Sequence, residues 1–363
     1  VGVLTQYKPL SLMEHIDHGR PWDLAGRTRQ VEILPPKTGE ENSDWYKGTS
    51  DAVFQNLGFI QTYSPNVILV VSGDHIYHMN YNEIIRFHRE HEAKATVCLI
   101  EVPHQTAHLF GIAELNAESV ITGWVEKPQK PRSNLASMGI YIFDADILTG
   151  SLRRIAREKG TDFAQHVIPY MIKNYRVCGY RFEGYWRDVG TIDAYWRANM
   201  DVFNTQSGLD IANWSVRTNL SIKGEIGDRP SSYIGKKARV SRSLFGRGCV
   251  IEGTVTNSVL SPGVRIGVGT VVADSIVFHN TVIEKHAMIE KSIIDKEVSI
   301  ASNAHIGQGT PTKNKKFPDH LSSGLTVIGK RAHIKRRVTI GKNCIVFPEL
   351  TVTRNVPSGD TVV

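Results

Sequence analysis

The sequence contains few cysteines, and none of them form a recognisable pair. The chain of 363 residues has four of them, at positions 98, 178, 249 and 344. They lie far apart and make no C-x-x-C motif, which argues against a disulfide framework or a zinc site. Free thiols fit a reducing compartment, so we expect a cytoplasmic protein.

Long apolar runs are also missing. No run of roughly 18 apolar residues and no apolar segment typical of a secretory signal occurs, so neither a membrane span nor export is predicted. The net charge of +7 is modest and suits phosphorylated small molecules. Because no basic run is interleaved with aromatic residues, nucleic acid is not expected as a partner. The length predicts about two domains.

One stretch of the N-terminal half points to chemistry. Five aliphatic residues, Val67 to Val71, predict a strand that is buried on both faces, as in a parallel sheet. Ser72 and Gly73 end this strand, and Asp74 follows directly. Ligands of open α/β sheets bind outside the carboxyl ends of the strands, which makes Asp74 a candidate Mg²⁺ ligand. A plain helix cap is the alternative that these residues leave open.

Helices and strands alternate through this half of the chain. We expect helices at 49–63 and 81–92, a strand at 96–102, and a last helix from Ile192 to Phe203 that Thr191 caps. This alternation predicts an α/β domain with a mostly parallel sheet that ends near residue 205. The Gly48-Thr49 pair at a helix start offers backbone N–H groups to an anion, although an ordinary capped helix has the same pattern.

A different periodicity follows after residue 230. Bulky apolar residues recur every six positions, in the runs Leu260, Ile266, Val272 and Phe278; Val282, Met288, Ile294, Ile300 and Ile306; and Ile328, Ile334, Ile340, Val346 and Val352. This period is typical of a parallel β-helix, in which three short strands make one coil. We therefore predict an α/β domain at 1–205, a linker at 206–232 and a β-helix at 233–363.

Six motifs carry a family resemblance. In chain order they are WYKGTSDA, SGDHIY, VEKP, ASMGIYIF, DFAQHVIP and YWRDVGT. Followed by the β-helix, they resemble the bacterial ADP-glucose pyrophosphorylases, or glucose-1-phosphate adenylyltransferases, over essentially the whole chain. The resemblance implies a mononucleotide-binding, Rossmann-like domain and a left-handed β-helix. It also implies that ATP and glucose 1-phosphate react to give ADP-glucose and pyrophosphate, the committed step of bacterial glycogen synthesis.

The resemblance assigns roles to individual residues. Asp74 and Asp188 match the two carboxylates that hold Mg²⁺, and Lys127 matches the lysine that binds the phosphate of glucose 1-phosphate. Glu126 and Ser137 match positions that hydrogen-bond the sugar hydroxyls. These residue types suit the chemistry, because transfer between two anions needs charge neutralisation and positioning more than covalent catalysis.

Further positions match the substrate-binding residues of the family. Gly139 would let the backbone lie close to the sugar, while Gly48 and Thr49 match the nucleotide side of the site. Tyr46 would lie near the nucleoside. We treat all four as expected substrate contacts.

The sequence departs from the family at its beginning. The family opens with a first strand and a Gly-rich loop, G-G-x-G-x-R-L, that binds the triphosphate, and this chain begins at Val1 without them. We therefore expect an N-terminally truncated nucleotide-binding domain, and a polypeptide that is inactive or nearly so by itself. The expectation is that the native protein carries this segment upstream.

The resemblance also implies assembly and regulation. The β-helix of this family mediates oligomer contacts, so a homo-oligomer, by resemblance a tetramer, is expected. A basic stretch from Lys313 to Arg337 includes Lys335, Arg336 and Arg337, where a phosphorylated sugar could act as an allosteric effector. A solvated cationic face explains the same residues equally well.

Three alternative functions remain at this point. One is a pyrophosphorylase that uses UTP, dTTP or GTP to make another NDP-sugar. Another is a non-catalytic regulatory subunit of the ADP-glucose enzyme. The third is a hexapeptide acyltransferase, which would need a catalytic histidine in the β-helix, and no histidine there has an evident catalytic partner in the sequence.

Overall fold

The computed structural model describes residues 1–6, 10–26, 29–36, 45–211, 213–214 and 229–363. Within these ranges the chain forms two compact units. The first unit contains the described residues of 1–73 and 77–186. The second contains residues 74–76 and the described residues of 187–215 and 224–363. Most of the predicted linker at 206–232 lies outside the described residues.

The N-terminal two hundred residues alternate between helices and short strands, with a 3₁₀ helix at Asp17–Trp22 and a π-helix at Phe163–Val167. The other elements are β1 (Gly2–Leu4), α1 (Leu10–Ile16), β2 (Glu32–Leu34), α2 (Thr49–Gln55), α3 (Leu57–Tyr63), β3 (Val67–Val70), β4 (His75–Tyr77), α4 (Tyr81–Glu90), β5 (Ala95–Glu101), α5 (His104–Ala107), β6 (Gly111–Leu115), β7 (Ile121–Glu126), β8 (Leu135–Asp144), α6 (Ala145–Arg157), α7 (Ile168–Asn174), β9 (Val177–Arg181), β10 (Trp186–Asp188) and α8 (Ile192–Asp201). None of the described helices has the length and apolar character that crossing a membrane requires.

The main sheet of the first unit has the strand order β7-β6-β8-β5-β9, and β3 also pairs with β8. The predicted α/β class is confirmed, but the prediction of a mostly parallel sheet is wrong. Strand β8 is ten residues long and runs antiparallel to β3, β5 and β6. Among the described pairs of this sheet only β5 with β9 is parallel. Three of the antiparallel pairs involve β8, and the fourth joins β6 to β7.

The prediction for the strand before Asp74 also needs correction. Val67–Val70 is only half-buried, and Val71 is exposed. Among the described strands β3 pairs with β8 alone, so it lies at an edge of the sheet and not inside it. The predicted helix at 49–63 is interrupted as well. It divides at Asn56, whose side-chain amide donates to the carbonyl of Ala52 and to the hydroxyl of Tyr46.

The predicted β-helix is confirmed. In the described residues from 229 onwards, twenty short strands form three sheets, and each strand pairs in parallel with a strand of a neighbouring coil. The strands are β11 (Tyr233–Ile234), β12 (Arg239–Ser241), β13 (Leu244–Phe245), β14 (Val250–Ile251), β15 (Thr254–Thr256), β16 (Val259–Leu260), β17 (Arg265–Ile266), β18 (Val271–Ala273), β19 (Ile276–Val277), β20 (Val282–Ile283), β21 (Met288–Glu290), β22 (Ser292–Ile294), β23 (Ser299–Ile300), β24 (His305–Gln308), β25 (Thr326–Ile328), β26 (His333–Ile334), β27 (Thr339–Gly341), β28 (Ile345–Val346), β29 (Thr351–Val352) and β30 (Thr361–Val362).

Most of the residues that mark the six-residue period face the core of this β-helix, but Phe278, Val282 and Met288 do not. Phe278 is half-buried and packs against α8, and its neighbour Val277 lies in the core. Ile266, Ile300 and Ile334 are almost completely buried in a single apolar core that runs along the coils. Val282 and Met288 are exposed instead, and their neighbours Ile283 and Ile289 fill the core. In a strand successive side chains point to opposite faces, so a shift of one residue exchanges core and surface.

The last predicted helix begins where expected but belongs to the second unit. Thr191 accepts a hydrogen bond from the amide of Ala194 and so caps α8 as predicted. One side of α8 packs against buried residues of the β-helix; the contacting side chains include Tyr195, Trp196 and Met200. The compact second unit therefore already includes Arg187. The predicted domain limits of 1–205, 206–232 and 233–363 stay a prediction.

Candidate active site

A cavity of about 650 Å³ opens in the first unit. Its wall includes Val70 and Gly73 at the end of β3, and Gly73 directly precedes Asp74 in the chain. The predicted substrate-binding residues that line it are Tyr46, Gly48, Thr49, Glu126, Lys127 and Gly139. Residues far apart in the sequence therefore meet in one concave place, which is typical of a small-molecule site.

Ser137 is the predicted sugar contact that the cavity wall does not include. Its side chain is buried, with 8% exposure, and its hydroxyl accepts a hydrogen bond from the Gly139 amide at 3.3 Å. The same hydroxyl donates to the Tyr141 hydroxyl at 3.5 Å. Gly139 and Tyr141 both line the cavity. Ser137 thus supports the wall from behind, and its contact with a sugar stays a prediction.

One side of the cavity is the N-terminus of α2, where Gly48 is the N-cap. The amides of Ser50 and Asp51 donate to the carbonyl oxygen of Thr161, at 2.9 and 3.1 Å. A Cβ atom on Gly48 would lie only 2.4 Å from that oxygen. The absence of a side chain at Gly48 is what lets the two segments approach so closely.

Thr49 ties the same helix to the segment that begins at Asp162. Its hydroxyl donates to a carboxylate oxygen of Asp162 at 3.0 Å and accepts from the amide of Phe163 at 3.1 Å. Asp162 lines the cavity and caps the π-helix by accepting from the Gln165 amide. We had not predicted Asp162 as a site residue, although it opens the DFAQ motif. The Thr49 hydroxyl is engaged within the protein, so its contact with a nucleotide stays a prediction.

Tyr46 is fixed by its own hydrogen bonds. Its hydroxyl donates to the carbonyl oxygen of Leu34 and accepts from the Asn56 amide group, both at 2.9 Å. Burial raises the pKa of the hydroxyl, and the charge of Asp51 adds to this effect. The ring therefore stays neutral and offers the cavity an aromatic face.

Glu126 offers an unsatisfied acceptor. One carboxylate oxygen, Oε2, is buried and has no hydrogen-bond partner among the described residues. Burial raises the pKa of this carboxyl, and the negative charge of Asp162 raises it further while Lys127 opposes the shift. A buried polar atom without a partner costs free energy. This oxygen packs against Gly111, where an added Cβ would lie 2.6 Å from it.

Lys127 follows at the end of β7 with an unusual backbone. Its φ of +48° lies in the left-handed region, which costs a non-glycine residue about 1 kcal/mol or more. Its amide donates to the carbonyl of Phe110 at 3.0 Å, which helps to hold this turn. Strained backbone of this kind is concentrated at functional sites. The turn places the lysine on the cavity wall.

The second unit brings the two predicted metal ligands together. Asp74, His75 and Asp188 each offer a ligand atom, and these atoms all lie within 4.8 Å of one another. Strands β4 and β10 pair, and the amide of Val189 donates to the carbonyl of Asp74 at 3.0 Å. Two carboxylates and an imidazole form a donor set that fits a divalent cation. His75 is a member that we had not predicted from the sequence.

Gly190 gives this cluster its space. Its amide donates to the Oδ1 atom of Asp188 at 2.7 Å and orients that carboxylate. A Cβ atom on Gly190 would lie 3.0 Å from this oxygen and 3.8 Å from the Oδ2 atom of Asp74. A glycine therefore leaves room between the carboxylates that any side chain would fill.

Comparison with known proteins agrees with this arrangement. The nucleotidyl transferase family matches residues 1–205, and the GlmU-like C-terminal hexapeptide family matches residues 231–328. The glucose-1-phosphate adenylyltransferase of Acetivibrio thermocellus is 42% identical over 356 residues, covering 97% of this chain and 82% of its own length. That of Thermotoga neapolitana is also 42% identical and covers 100% of this chain and 86% of its own length.

This chain belongs to the glucose-1-phosphate adenylyltransferase family. The predicted enzyme class, a sugar-1-phosphate nucleotidyltransferase, and the Rossmann-like domain with a left-handed β-helix are confirmed. Nucleotidyltransferases of this kind generally use a divalent metal, which fits the donor set of the second unit.

The predicted effector residues lie on the β-helix. Lys335, Arg336 and Arg337 form an exposed turn between β26 and β27. Hydrogen bonds from Ser302, and then the charge of Arg336, hold the pKa of Glu284 below its ordinary value. The turn therefore already faces an acidic group, and binding of an anionic effector there stays a prediction.

Other cations of the predicted basic stretch have carboxylate partners. Lys330 and Arg331 lie 4.0 and 2.7 Å from Glu297, and Lys315 pairs with Asp360. These ion pairs reduce the positive charge that the sequence had indicated for this region. The uneven pairing leaves the turn 335–337 as the more cationic part of the stretch.

Proposed function

We propose that this chain transfers AMP from ATP to glucose 1-phosphate, with release of pyrophosphate, in a Mg²⁺-assisted reaction that supplies ADP-glucose for glycogen synthesis. The relatives that match 95% or more of the chain at 40–42% identity carry the name of that activity. The observation that carries the proposal is the cavity in which Glu126, Lys127 and Gly139 come together. A cytoplasmic location goes with this proposal, and the four cysteines are free and buried.

The sugar phosphate takes the side of the cavity next to β7. The Lys127 ammonium group supplies a compact charge for the phosphate. The Glu126 carboxylate lies on the same wall and accepts a hydrogen bond from a sugar hydroxyl. Gly139 has a φ of +65°, so a residue with a side chain would be strained at this point of the wall.

ATP takes the side of the cavity formed by the N-terminus of α2. Gly48 lets the backbone approach closely, and Tyr46 offers an aromatic face with its hydroxyl turned away to Leu34. The Thr49 hydroxyl holds the segment at Asp162 in place. These residues bind and orient the nucleotide so that the phosphate of the sugar attacks the α-phosphorus in line.

Asp74 and Asp188 would hold the Mg²⁺ ion. Carboxylate oxygens are the ligands that Mg²⁺ prefers, and Gly190 orients the Asp188 carboxylate by hydrogen bonding one of its oxygens. When bound, the ion neutralises charge on the phosphates of the substrates. Transfer between two anions needs such charge compensation.

The sugar-phosphate half of the proposal is tested by Lys127→Gln. Loss of one charged hydrogen bond costs about 1.5–3 kcal/mol, so the Kd for glucose 1-phosphate in calorimetry should rise between about tenfold and a hundredfold. Lys130→Gln is the matched control, because Lys130 is exposed and does not line the cavity. Equal affinities in Lys127→Gln and the wild type would remove Lys127 from the site.

The nucleotide preference needs a separate measurement. We expect pyrophosphorolysis of ADP-glucose to exceed that of UDP-, dTDP- and GDP-glucose. The assay uses the purified chain. Preference for another NDP-sugar would favour the first alternative function. No turnover, with substrates still bound, would favour a regulatory subunit.

Assembly and regulation complete the proposal. We expect a homo-oligomer, by resemblance a tetramer, and an anionic effector at the turn of Lys335, Arg336 and Arg337. Light scattering on the purified chain measures the first expectation. Binding of a phosphorylated sugar to the wild type and to Arg336→Gln measures the second, and unchanged binding in the variant would place the effector elsewhere.

A further inference from the structure

One imidazole stands beside the two carboxylates of the second unit. The Nε2 atom of His75 lies 3.6 Å from the Oδ1 atom of Asp74, and the histidine side chain is only 12% exposed. A ligand atom of Asp188 lies within 4.8 Å of both. We propose that His75 is a third ligand of the divalent cation, which the site then binds through one nitrogen and two carboxylates. This inference rests on the proposed function, which assigns the cation to Asp74 and Asp188.

The spacing of the three groups fits one six-coordinate cation. With bonds of about 2.1 Å, neighbouring ligand atoms of an octahedral ion lie about 3.0 Å apart and opposite ones about 4.2 Å. The 3.6 Å between the His75 and Asp74 atoms falls between these two values. Small side-chain rotations are therefore enough to bring the three ligand atoms to a single ion.

The backbone holds the three groups from two paired strands. Asp74 lies in a bend just before β4, so the alternation of side chains along a strand does not separate it from His75. The amide of Val189 binds the Asp74 carbonyl, and the amide of Gly190 binds the Asp188 carboxylate. Because both amides belong to one turn, the two carboxylates keep a fixed separation.

An imidazole ligand changes which cation the site prefers. Mg²⁺ favours oxygen ligands, whereas imidazole suits transition metals, and the affinity of a given site rises from Mn²⁺ to Co²⁺. The site therefore binds Mn²⁺ and Co²⁺ more tightly than Mg²⁺, and His75 supplies that difference. Two carboxylates without the imidazole would distinguish the cations less.

The experiment uses Mn²⁺ alone as the probe, with the whole chain and no substrate. Electron paramagnetic resonance gives the Mn²⁺ affinity, and electron spin echo modulation detects a nitrogen bound to the metal. We expect nitrogen modulation in the wild type and its loss in His75→Gln. Loss of a residue that only hydrogen-bonds a metal ligand already lowers metal affinity by roughly tenfold or more. Loss of a direct ligand should therefore lower the Mn²⁺ affinity by at least that factor. The Mg²⁺ affinity, measured by competition, should fall less.

His78→Gln is the matched control, because it removes an exposed histidine three positions along the chain from the cluster. It should leave the modulation and both affinities unchanged. Circular dichroism checks that His75→Gln folds, and the wild-type modulation decides the question even if that variant does not.

The outcomes separate this inference from the proposed function. Mn²⁺ binding that depends on Asp188 but shows no nitrogen modulation would overturn the role of His75 and leave the carboxylate site standing. Mn²⁺ binding that is unchanged in Asp74→Asn and Asp188→Asn would overturn the proposed metal site itself. Nitrogen modulation that persists in His75→Gln would also overturn the role of His75.

Discussion

Replacing Gly48 by alanine tests the close contact on which the α2 side of the cavity depends. The φ of Gly48 is 167°, an extended conformation that any residue adopts, so the effect of a methyl group is steric alone. Its Cβ atom would lie 2.4 Å from the oxygen and 3.0 Å from the carbon of the Thr161 carbonyl. Both neighbours are backbone atoms, so a side-chain rotation cannot relieve the clash.

The cost follows from the hydrogen bonds that the clash breaks. Separation of the two segments removes the bonds from Ser50 and Asp51 to the Thr161 carbonyl, each worth about 1 kcal/mol. The two bonds together account for about 2 kcal/mol, and a carbonyl left without a partner adds a desolvation cost of about 1–3 kcal/mol. The two hydrogen bonds of the Thr49 hydroxyl depend on the same contact.

Amide hydrogen exchange measures this loss where it occurs. With two compact units a single unfolding transition is not assured, so the protection of the Ser50 and Asp51 amides is the better observable. A loss of 2 kcal/mol lowers that protection by about thirtyfold. Gly58→Ala is the control, because no heavy atom lies within 4 Å of its added Cβ and α3 should gain about 0.5–1 kcal/mol. Wild-type protection in Gly48→Ala would refute the reasoning.

Three further substitutions test other parts of the molecule. Because the pKa of Glu126 is raised in the folded protein, the stability of the protein falls as pH rises from 4.5 through that raised pKa. Glu126→Gln should remove this fall and should melt at a higher temperature than the wild type at neutral pH. A pH profile of stability like that of the wild type would contradict this. Gly190→Ala should weaken Mn²⁺ binding in a paramagnetic resonance titration, because its Cβ crowds Asp188 and Asp74; an equal Kd would refute the crowding. Trp196→Phe removes a 2.8 Å hydrogen bond from the indole N–H to a carbonyl of the β-helix. Urea unfolding should show a free energy of unfolding lower by about 1 kcal/mol. Stability equal to that of the wild type would show that the bond makes no net contribution.

The β-helix was predictable because its period is a direct consequence of its geometry. In this fold every sixth residue faces the core. Apolar residues such as Ile266, Ile300 and Ile334 therefore recur at that spacing and identify the coils in the sequence. The period could not locate the slip at Val282 and Met288, because the residues that follow them, Ile283 and Ile289, are equally apolar. Only the pairing of neighbouring coils decides which of two adjacent apolar residues is buried.

The direction of the strands in the main sheet was not predictable in the same way. A long apolar strand such as Leu135–Asp144 has the same composition whether its neighbours run parallel or antiparallel to it. Val67–Val71 shows a second limit of composition. The aliphatic run predicted a strand buried on both faces, but Val67–Val70 is half-buried, Val71 is exposed, and among the described strands β3 pairs with β8 alone. Composition records how apolar a strand is, while its position in the sheet depends on the whole topology.

The candidate site shows which contacts a sequence motif can identify. Motifs found Glu126 and Lys127, which are neighbours in the chain and share the cavity. They missed Asp162, because an acid before a helix has the same pattern whether it only caps the helix or also lines a cavity. They missed His75 for a similar reason, since its relation to Asp188 depends on the pairing of β4 with β10.

Asp188 lies in the same compact unit as the β-helix. Only Val189, Gly190 and Thr191 separate it from α8, and α8 packs its aromatic residues against the β-helix. The compact unit that contains the hexapeptide coils therefore contains both candidate metal carboxylates, together with residues 74–76. Since α8 begins at a capped turn and is held by the β-helix, the position of Asp188 is set from the C-terminal side of the chain. The division near residue 205 that the change of periodicity indicates is thus a boundary of sequence pattern, whereas the packing that fixes Asp188 extends across it.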